Sequence, residues 1–144
     1  MKFKYFAVMA LLFATACSDK DSDDRTRFKV DETYSSVEWK GSAPTHFHRG
    51  AFKVSGTMDL DAQNKISGGT FTIPIASITN FDLSEPDKTT LLDHLKTSDF
   101  LNLALYPESS FKITKVEEYS QPGSSMNAKI TGDFTLIGQT HSIS

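Results

Sequence analysis

LLDHLKTSDFLNLALYPESSF, from Leu91 to Phe111, breaks the pattern of the chain around it. On either side, apolar and polar residues alternate, as in strands with one buried face. Within the stretch the apolar residues recur at helical spacing: Leu91, Leu92 and Leu95, then Phe100, Leu101, Leu103 and Leu105. Asp87 or Thr89 is placed to cap the start, and Pro107 stops a helix from running further. One apolar helical insertion therefore interrupts a chain of strands. An antiparallel barrel or sandwich has two open ends, and an insertion of this kind is expected to close one of them or to wall a cavity.

Upstream of the insertion, Phe28 to Gly41 reads as extended, with Val37 and Trp39 alternating against Ser36, Glu38 and Lys40. Asp31 and the Ser35–Ser36 pair mark a turn before the alternation settles. From Gly50 to Leu60, Phe52, Val54, Met58 and Leu60 share one face with Gly56, and Lys53, Ser55, Thr57 and Asp59 take the other. The polar run Asp61 to Lys65 makes a hairpin turn. Ile66 to Ile78 returns with Phe71, Ile73 and Ile75 on one face, and Gly68–Gly69 marks a bend or bulge. Pro74 belongs at an edge or a bulge.

Downstream, Phe111 and Ile113 alternate within Ser109 to Glu118, and QPGSS (Gln121 to Ser125) turns. Ala128, Ile130, Phe134 and Leu136 then share a face with Gly132, and Gly138–Gln139 turns again. Five or six meandering strands with interior glycines favour a barrel or curved sheet over a flat one.

At 144 residues the chain has room for one domain. A net charge of −3 and the lack of a basic stripe exclude a nucleic-acid partner, and eleven Phe suit a core or pocket lined by rings. At the N-terminus, Lys2 and Lys4 precede a short apolar run, Phe6 to Phe13, too short to span a bilayer as a helix. Ala14, Thr15 and Ala16 then precede Cys17, the single cysteine. This arrangement resembles a bacterial lipobox and implies a signal peptide over residues 1–16 and a lipidated Cys17 at the mature N-terminus. A lone cysteine in an exported chain has no disulfide partner, which also points to lipidation. Removing residues 1–16 leaves 128 residues with 13 basic and 18 acidic side chains, a charge of −5. Residues 17–27 form the anchor and an acidic tether, with no apolar side chain from Ser18 to Arg27. Ser18, where Asp favours inner-membrane retention, directs the expectation to the outer membrane, with either face open.

The runs Tyr34-Ser-Ser-Val-Glu-Trp39, His46-x-x-x-Gly50-x-Phe52, Gly68 to Asn80, Asp93-His-Leu-Lys-x-x-Asp-Phe-Leu101, Tyr106-Pro-x-x-x-Phe111 and Ile130-Thr-Gly-Asp-Phe-Thr-Leu-x-Gly-x-Thr140 resemble the YceI-like family over residues 28–144. The resemblance implies an all-β fold: a lipocalin-like antiparallel β-barrel, here with a short helical insertion in mid-chain. It also implies an apolar tunnel holding a polyisoprenoid or similar lipid, export, and no catalytic residues. Family chains usually carry several more strands beyond the Gly138-x-Thr140 step. This chain stops at Ser144, so either it is a fragment or the barrel is C-terminally truncated, and an incomplete barrel is expected to expose an unpaired edge.

The candidate ligand-binding side chains are Val37, Trp39, Phe52, Val54, Met58, Phe71, Ile73, Ile75, Phe111, Ile113, Ile130, Phe134 and Leu136 from the strands. The insertion adds Leu91, Leu92, Leu95 and Phe100. The residues alone leave open whether these rings pack as a solid core or line a cavity; the resemblance implies the cavity. The expected function is storage, sequestration or transport of a long apolar chain, such as a quinone-like isoprenoid, in the envelope. No cofactor beyond that lipid is expected, and membrane attachment would run through Cys17. An alternative is a metal-binding or β-edge interaction module. His46 and His48 share a strand face and are weak metal candidates, since two His need further ligands and no thiol is free. Catalysis is not expected: there is no nucleophile-elbow pattern, and Asp93 and Asp99 suit turns around the insertion.

Overall fold

The computed structural model describes residues 25–144, so the expected signal peptide, Cys17 and most of the tether lie outside the described residues. The fold is predominantly β, with antiparallel pairing throughout and one α-helix. The strands are β1 (Thr26–Lys29), β2 (Ser36–Ser42), β3 (Phe47–Lys53), β4 (Ser55–Leu60), β5 (Ile66–Pro74), β6 (Glu108–Glu118), β7 (Ala128–Leu136) and β8 (Gln139–Ile143). Helix α1 spans Asp87–Leu95.

Six strands form one sheet in the order β1-β4-β5-β6-β7-β8, and β2 and β3 form a separate ribbon. Among the described residues β1 and β8 are the ends of the sheet and do not pair with each other, so the sheet is open rather than a closed barrel. The segment after β5 joins the ribbon to the sheet. The Thr79 N–H donates to the Ala51 carbonyl (2.8 Å) and the Phe81 N–H to that of Arg49 (2.9 Å), so residues 79–81 run beside β3.

The tether is shorter than its composition suggests. Thr26 and Arg27 pair with Leu60 and Asp59, and the Arg27 guanidinium holds the Asp59 carboxylate through two hydrogen bonds, at 2.7 and 3.0 Å. The apparently continuous strand from Gly50 to Leu60 is two strands in different sheets. The chain turns at Val54, which is buried, and Gly56 takes φ +133°, a conformation L side chains rarely adopt. The alternation survives this bend, which is why pattern alone reads it as one element.

The hairpins follow their turn chemistry. The Asp61 carboxylate accepts from the N–H groups of Gln63 and Lys65, and Asn64 takes φ 59°. Ile137 and Gly138 have φ of 51° and 69° between the paired residues Leu136 and Gln139, the two-residue turn that tight hairpins require. Two bulges modify the sheet. One sets Ser67 outside the β4–β5 register, and the other, at Thr114, breaks the β6–β7 register. β5 ends at Pro74, short of the expected Ile78, and Ile75–Ser77 forms a 3-10 turn.

The mid-chain insertion is helical only over its first part. No side chain at the residue before the helix caps it. The Glu85 carboxylate instead accepts from the Thr89 N–H and hydroxyl, in place of the expected Asp87 or Thr89 cap. The helix stops at Leu95. Beyond it, bonds such as Leu101 N–H to Leu95 C=O and Asn102 N–H to Thr97 C=O close a series of turns, with Asn102 at φ 46°. Thr97, Ser98 and Asp99 favour turns over helix interior, and the Thr97 hydroxyl donates to the His94 carbonyl at 2.7 Å.

Candidate functional site: an apolar cavity between ribbon and sheet

One face of the sheet is apolar from strand to strand. Phe71, Phe111 and Phe134 stand opposite one another in register on β5, β6 and β7. The Phe71 and Phe111 rings stack with centroids 6.4 Å apart. Glycines make room for them: a Cβ on Gly132 would stand 2.4 Å from Phe111 ring carbons, and one on Gly69 would stand 3.1 Å from those of Phe71. The opposite face carries Thr57, Thr70, Thr72, Ser110, Lys112, Asp133 and Thr135, all on register positions that alternate with the apolar set.

The apolar face is only partly covered. Ile73, Ile75, Ile78, Val54 and Ala51 are buried, whereas every one of the Phe side chains on β3 and β5–β7 keeps some solvent exposure. The β2–β3 ribbon lies over one end of the face and bounds a half-open cavity of about 480 Å³. Val37, Trp39 and Phe52 wall it from the ribbon, and Ile73, Ile75 and Ile78 from the end of β5 and its 3-10 turn. Ser109, Phe134, Leu136 and Ile137 floor it, and Leu95, Phe100 and Leu101 close it from the insertion. The insertion therefore does wall a cavity.

The indole of Trp39 and the hydroxyl of Ser109, both in the cavity wall, already have partners. The Trp39 indole N–H donates to the Thr79 carbonyl at 3.0 Å, and the Ser109 hydroxyl donates to the Thr135 carbonyl at 2.6 Å. Gly50 lets the indole cross β3, since a Cβ there would lie 1.8 Å from the Thr79 carbonyl oxygen. Glu38 and Lys40 border the cavity through a strand whose exposed positions alternate with the half-buried Val37 and Trp39. What remains inward is hydrocarbon and ring, which selects for an apolar guest by leaving no polar group to satisfy.

Nine of the seventeen candidate side chains line this cavity: Val37, Trp39, Phe52, Ile73, Ile75, Leu95, Phe100, Phe134 and Leu136. The others lie elsewhere. Phe71, Phe111, Ile113, Ile130 and Met58 continue the apolar face along the sheet. Val54 is buried at the bend between ribbon and sheet, and Leu91 and Leu92 are half-buried on α1. Ile78, Leu101 and Ile137 also line the cavity, although none of them is among the expected ligand-binding side chains. Each follows a turn or sits within one, where neither strand nor helix periodicity applies. Val116 joins the inner face opposite Ile130 because the bulge at Thr114 shifts the phase of β6 by one residue.

His46 and His48 do sit together, with ring centroids 5.2 Å apart. His48 Nδ1 bonds Asp82 Oδ2 at 2.6 Å, and the other carboxylate oxygen accepts from the Arg49 N–H and the Asn80 amide. The Arg49 N–H and then the His48 ring hold the Asp82 carboxyl below its usual range. Asn80 is buried and accepts from the Asp82 and Leu83 N–H groups. The cluster pins the loop leading into α1 to β3. Among the described residues no group of three or more His, Cys, Asp or Glu is arranged to hold a metal ion. A second, wider groove of about 1000 Å³ lies between the β4–β5 turn and the β6–β7 hairpin. Its Lys65 pairs with Glu118 and its Lys115 with Glu117, so both of its cations are neutralised, and Ile66, Val116 and Met126 share its walls with the polar groups.

An antiparallel sheet with one apolar face, a covering ribbon and a mid-chain helix at the cavity wall defines a β-fold of binding-protein type. The chain belongs to the YceI-like domain family, whose model matches residues 28–144. Among curated proteins it is 31% identical over 142 residues to a UPF0312 protein of Pseudomonas putida, covering 95% of this chain and 68% of that protein. It is 36% identical over 93 residues to Protein YceI of Escherichia coli, covering 63% of this chain and 43% of that one. Among solved structures, cysteine mutants of CJ YceI protein match at 25% identity with TM-scores of 0.55 to 0.57. These matches cover 79% of this chain and 63% of theirs, so the chain spans under two thirds of the solved relatives' length.

Proposed function

We propose that this protein holds a long apolar lipid, of polyisoprenoid or quinone-like type, as a lipoprotein of the cell envelope, and that it performs no catalysis. The observation that carries the reading is the cavity walled almost wholly by apolar surface, with the Trp39 N–H and Ser109 hydroxyl already bonded, set beside a row of half-covered Phe rings. A guest entering it exchanges water for hydrocarbon at about 0.8 kcal/mol per buried methylene, with no charged partner needed. Membership of the YceI-like family supports a lipocalin-like binding role, and the apolar sheet face and ribbon suit two parts of a closed, lipocalin-like barrel. One solved relative, a cysteine mutant of CJ YceI protein, is described with a monobromobimane guest.

On this reading Cys17 carries the lipid anchor, the outer membrane is the site of residence, and the protein stores, sequesters or carries its guest. The test is native mass spectrometry of a soluble form beginning at Ser18, purified without detergent and then extracted with organic solvent. The expected result is a bound mass of several hundred daltons that moves into the solvent. A clean apo mass from a cooperatively folded protein overturns the reading.

A further inference from the structure

The face of the β2–β3 ribbon turned away from the cavity has a chemistry found on none of the sheet's outer positions. Register places Lys40 opposite Arg49, Ser36 opposite Lys53, Glu38 opposite Ala51 and Ser42 opposite Phe47. These positions alternate with Val37, Trp39 and Phe52, which face the cavity. Lys40 Nζ stands 4.6 Å from the centre of the Phe47 ring, a cation–π contact that fits their shared face. Phe47 is 53% exposed, and Phe81, bonded through its N–H to the Arg49 carbonyl, is 56% exposed.

Arg49 and Lys53 have no ion-pair partner among the described residues, and Lys40 has only the ring. Against these three cations stand two carboxylates, Glu38 within the ribbon and the nearby Asp82, which stays charged while His48, the Arg49 N–H and Asn80 bond it. The surface therefore carries a local positive excess on an acidic chain, with two exposed rings among the cations. The sheet's outer face, by contrast, sets its charges against one another among Thr and Ser: Arg27 opposite Asp59, Lys112 opposite Asp133 and Lys129 opposite Glu117.

We propose that the outer face of the β2–β3 ribbon, with Phe47 and Phe81 exposed among Lys40, Arg49 and Lys53, docks onto an anionic phospholipid surface. Cations placed among exposed apolar side chains match such a surface on both counts: headgroup phosphates meet the ammonium and guanidinium groups, and the rings enter the headgroup–acyl boundary. An acidic protein surface would satisfy the cations but leave both rings without an apolar phase. Docking sets the cavity one strand layer from the bilayer, with Trp39 and Val37 on the far side of the same ribbon. It is independent of what the cavity holds, and it differs from anchoring through Cys17, which tethers the domain without orienting it.

Because anchoring alone brings the domain to the membrane, the test reads orientation. The full chain is reconstituted into vesicles of brominated-chain phosphatidylcholine, with or without phosphatidylglycerol. Wild-type fluorescence, from the single Trp39, sets the baseline. The expected result is that Phe47→Trp emission is quenched and blue-shifted when phosphatidylglycerol is present. It should return to baseline in about 1 M salt, where the screening length falls to roughly 3 Å. Thr70→Trp, on the exposed face of the sheet, should stay at baseline in both lipids. Arg49→Glu combined with Lys53→Glu should abolish the quenching at position 47, and the salt series probes the same electrostatic dependence without any charge variant. Quenching at 47 no greater than at 70, or unchanged by phosphatidylglycerol and salt, overturns the proposal.

Discussion

Phe134→Asp is the sharpest perturbation of the cavity. Phe134 floors it from β7, opposite Phe111 in register, and Lys40, the cation at its border, lies against the Phe47 ring on the other face of the ribbon. Two losses add. Removing the ring takes away the contact that covers about two methylenes of a bound chain, worth roughly 1.6 kcal/mol at ~0.8 each. The new carboxylate must either be stripped of water, which costs several kcal/mol, or keep its water and flood the site. A combined loss of about 3 kcal/mol or more lowers affinity roughly 150-fold, since 1.4 kcal/mol is tenfold. Because Phe134 is only half-buried, the fold itself should lose about 2 kcal/mol, less than the ~3–5 kcal/mol of a fully buried Phe truncation. The assay is lipid retained per mole of purified protein, with a urea melt on the same sample. Phe134→Leu keeps the site apolar and should retain lipid. Undiminished retention in Phe134→Asp, with a cooperative melt, would refute the placement of the guest in this cavity.

Trp39→Phe keeps an aromatic ring in the cavity wall but loses the rest of the indole and the N–H donated to the Thr79 carbonyl, and should cost about 2 kcal/mol in a urea titration. Gly50→Ala should cost more, because its Cβ meets that carbonyl oxygen and the indole nitrogen at once; a melting temperature equal to wild type would show that β3 and residues 79–81 separate freely. Acid stability should depend on Asp59. Its hydrogen bonds from Arg27 hold its pKa below the ordinary 3.8, so the pair stabilises the fold above that value and ceases to do so as pH falls through the lower native pKa. Asp59→Asn should therefore be less stable than wild type near neutral pH, with the gap closing in strong acid; a constant gap across the titration contradicts the assignment.

Much of the strand content was legible because a half-buried strand shows period-2 alternation whatever it pairs with. Phe71, Ile73, Phe134 and Leu136 were readable on that ground, and so was the Asp61–Lys65 turn, whose Asp closes its own loop. What could not be read were events that change phase or direction without changing composition. The bulge at Thr114 carries Val116 to the inner face, and the bend at Val54–Gly56 sends one alternating run into two sheets. The 3-10 turn at Ile75–Ser77 swings Ile78 inward, and the hairpin turn does the same for Ile137. The helical insertion was visible, but its end at Leu95 depended on hydrogen bonds that Thr97 and Asn102 make in the folded chain.

By itself, then, the sequence determined an all-β chain with one apolar helical interruption, a set of inward side chains, and membership of a recognisable family through motifs such as Asp93 to Leu101 and Tyr106 to Phe111. These are local properties, carried by spacing and residue type. Only the tertiary structure decided that nine of seventeen candidate residues meet around one cavity while Phe71 and Phe111 stack beside it. It alone decided that Trp39 is held inward by Thr79, forty residues away, and that Lys40, Arg49 and Lys53 gather with Phe47 on the ribbon's other side. The physical reason is that register and bulges, which set who faces whom, are fixed by long-range pairing, and period-2 alternation is blind to which partner a strand chooses.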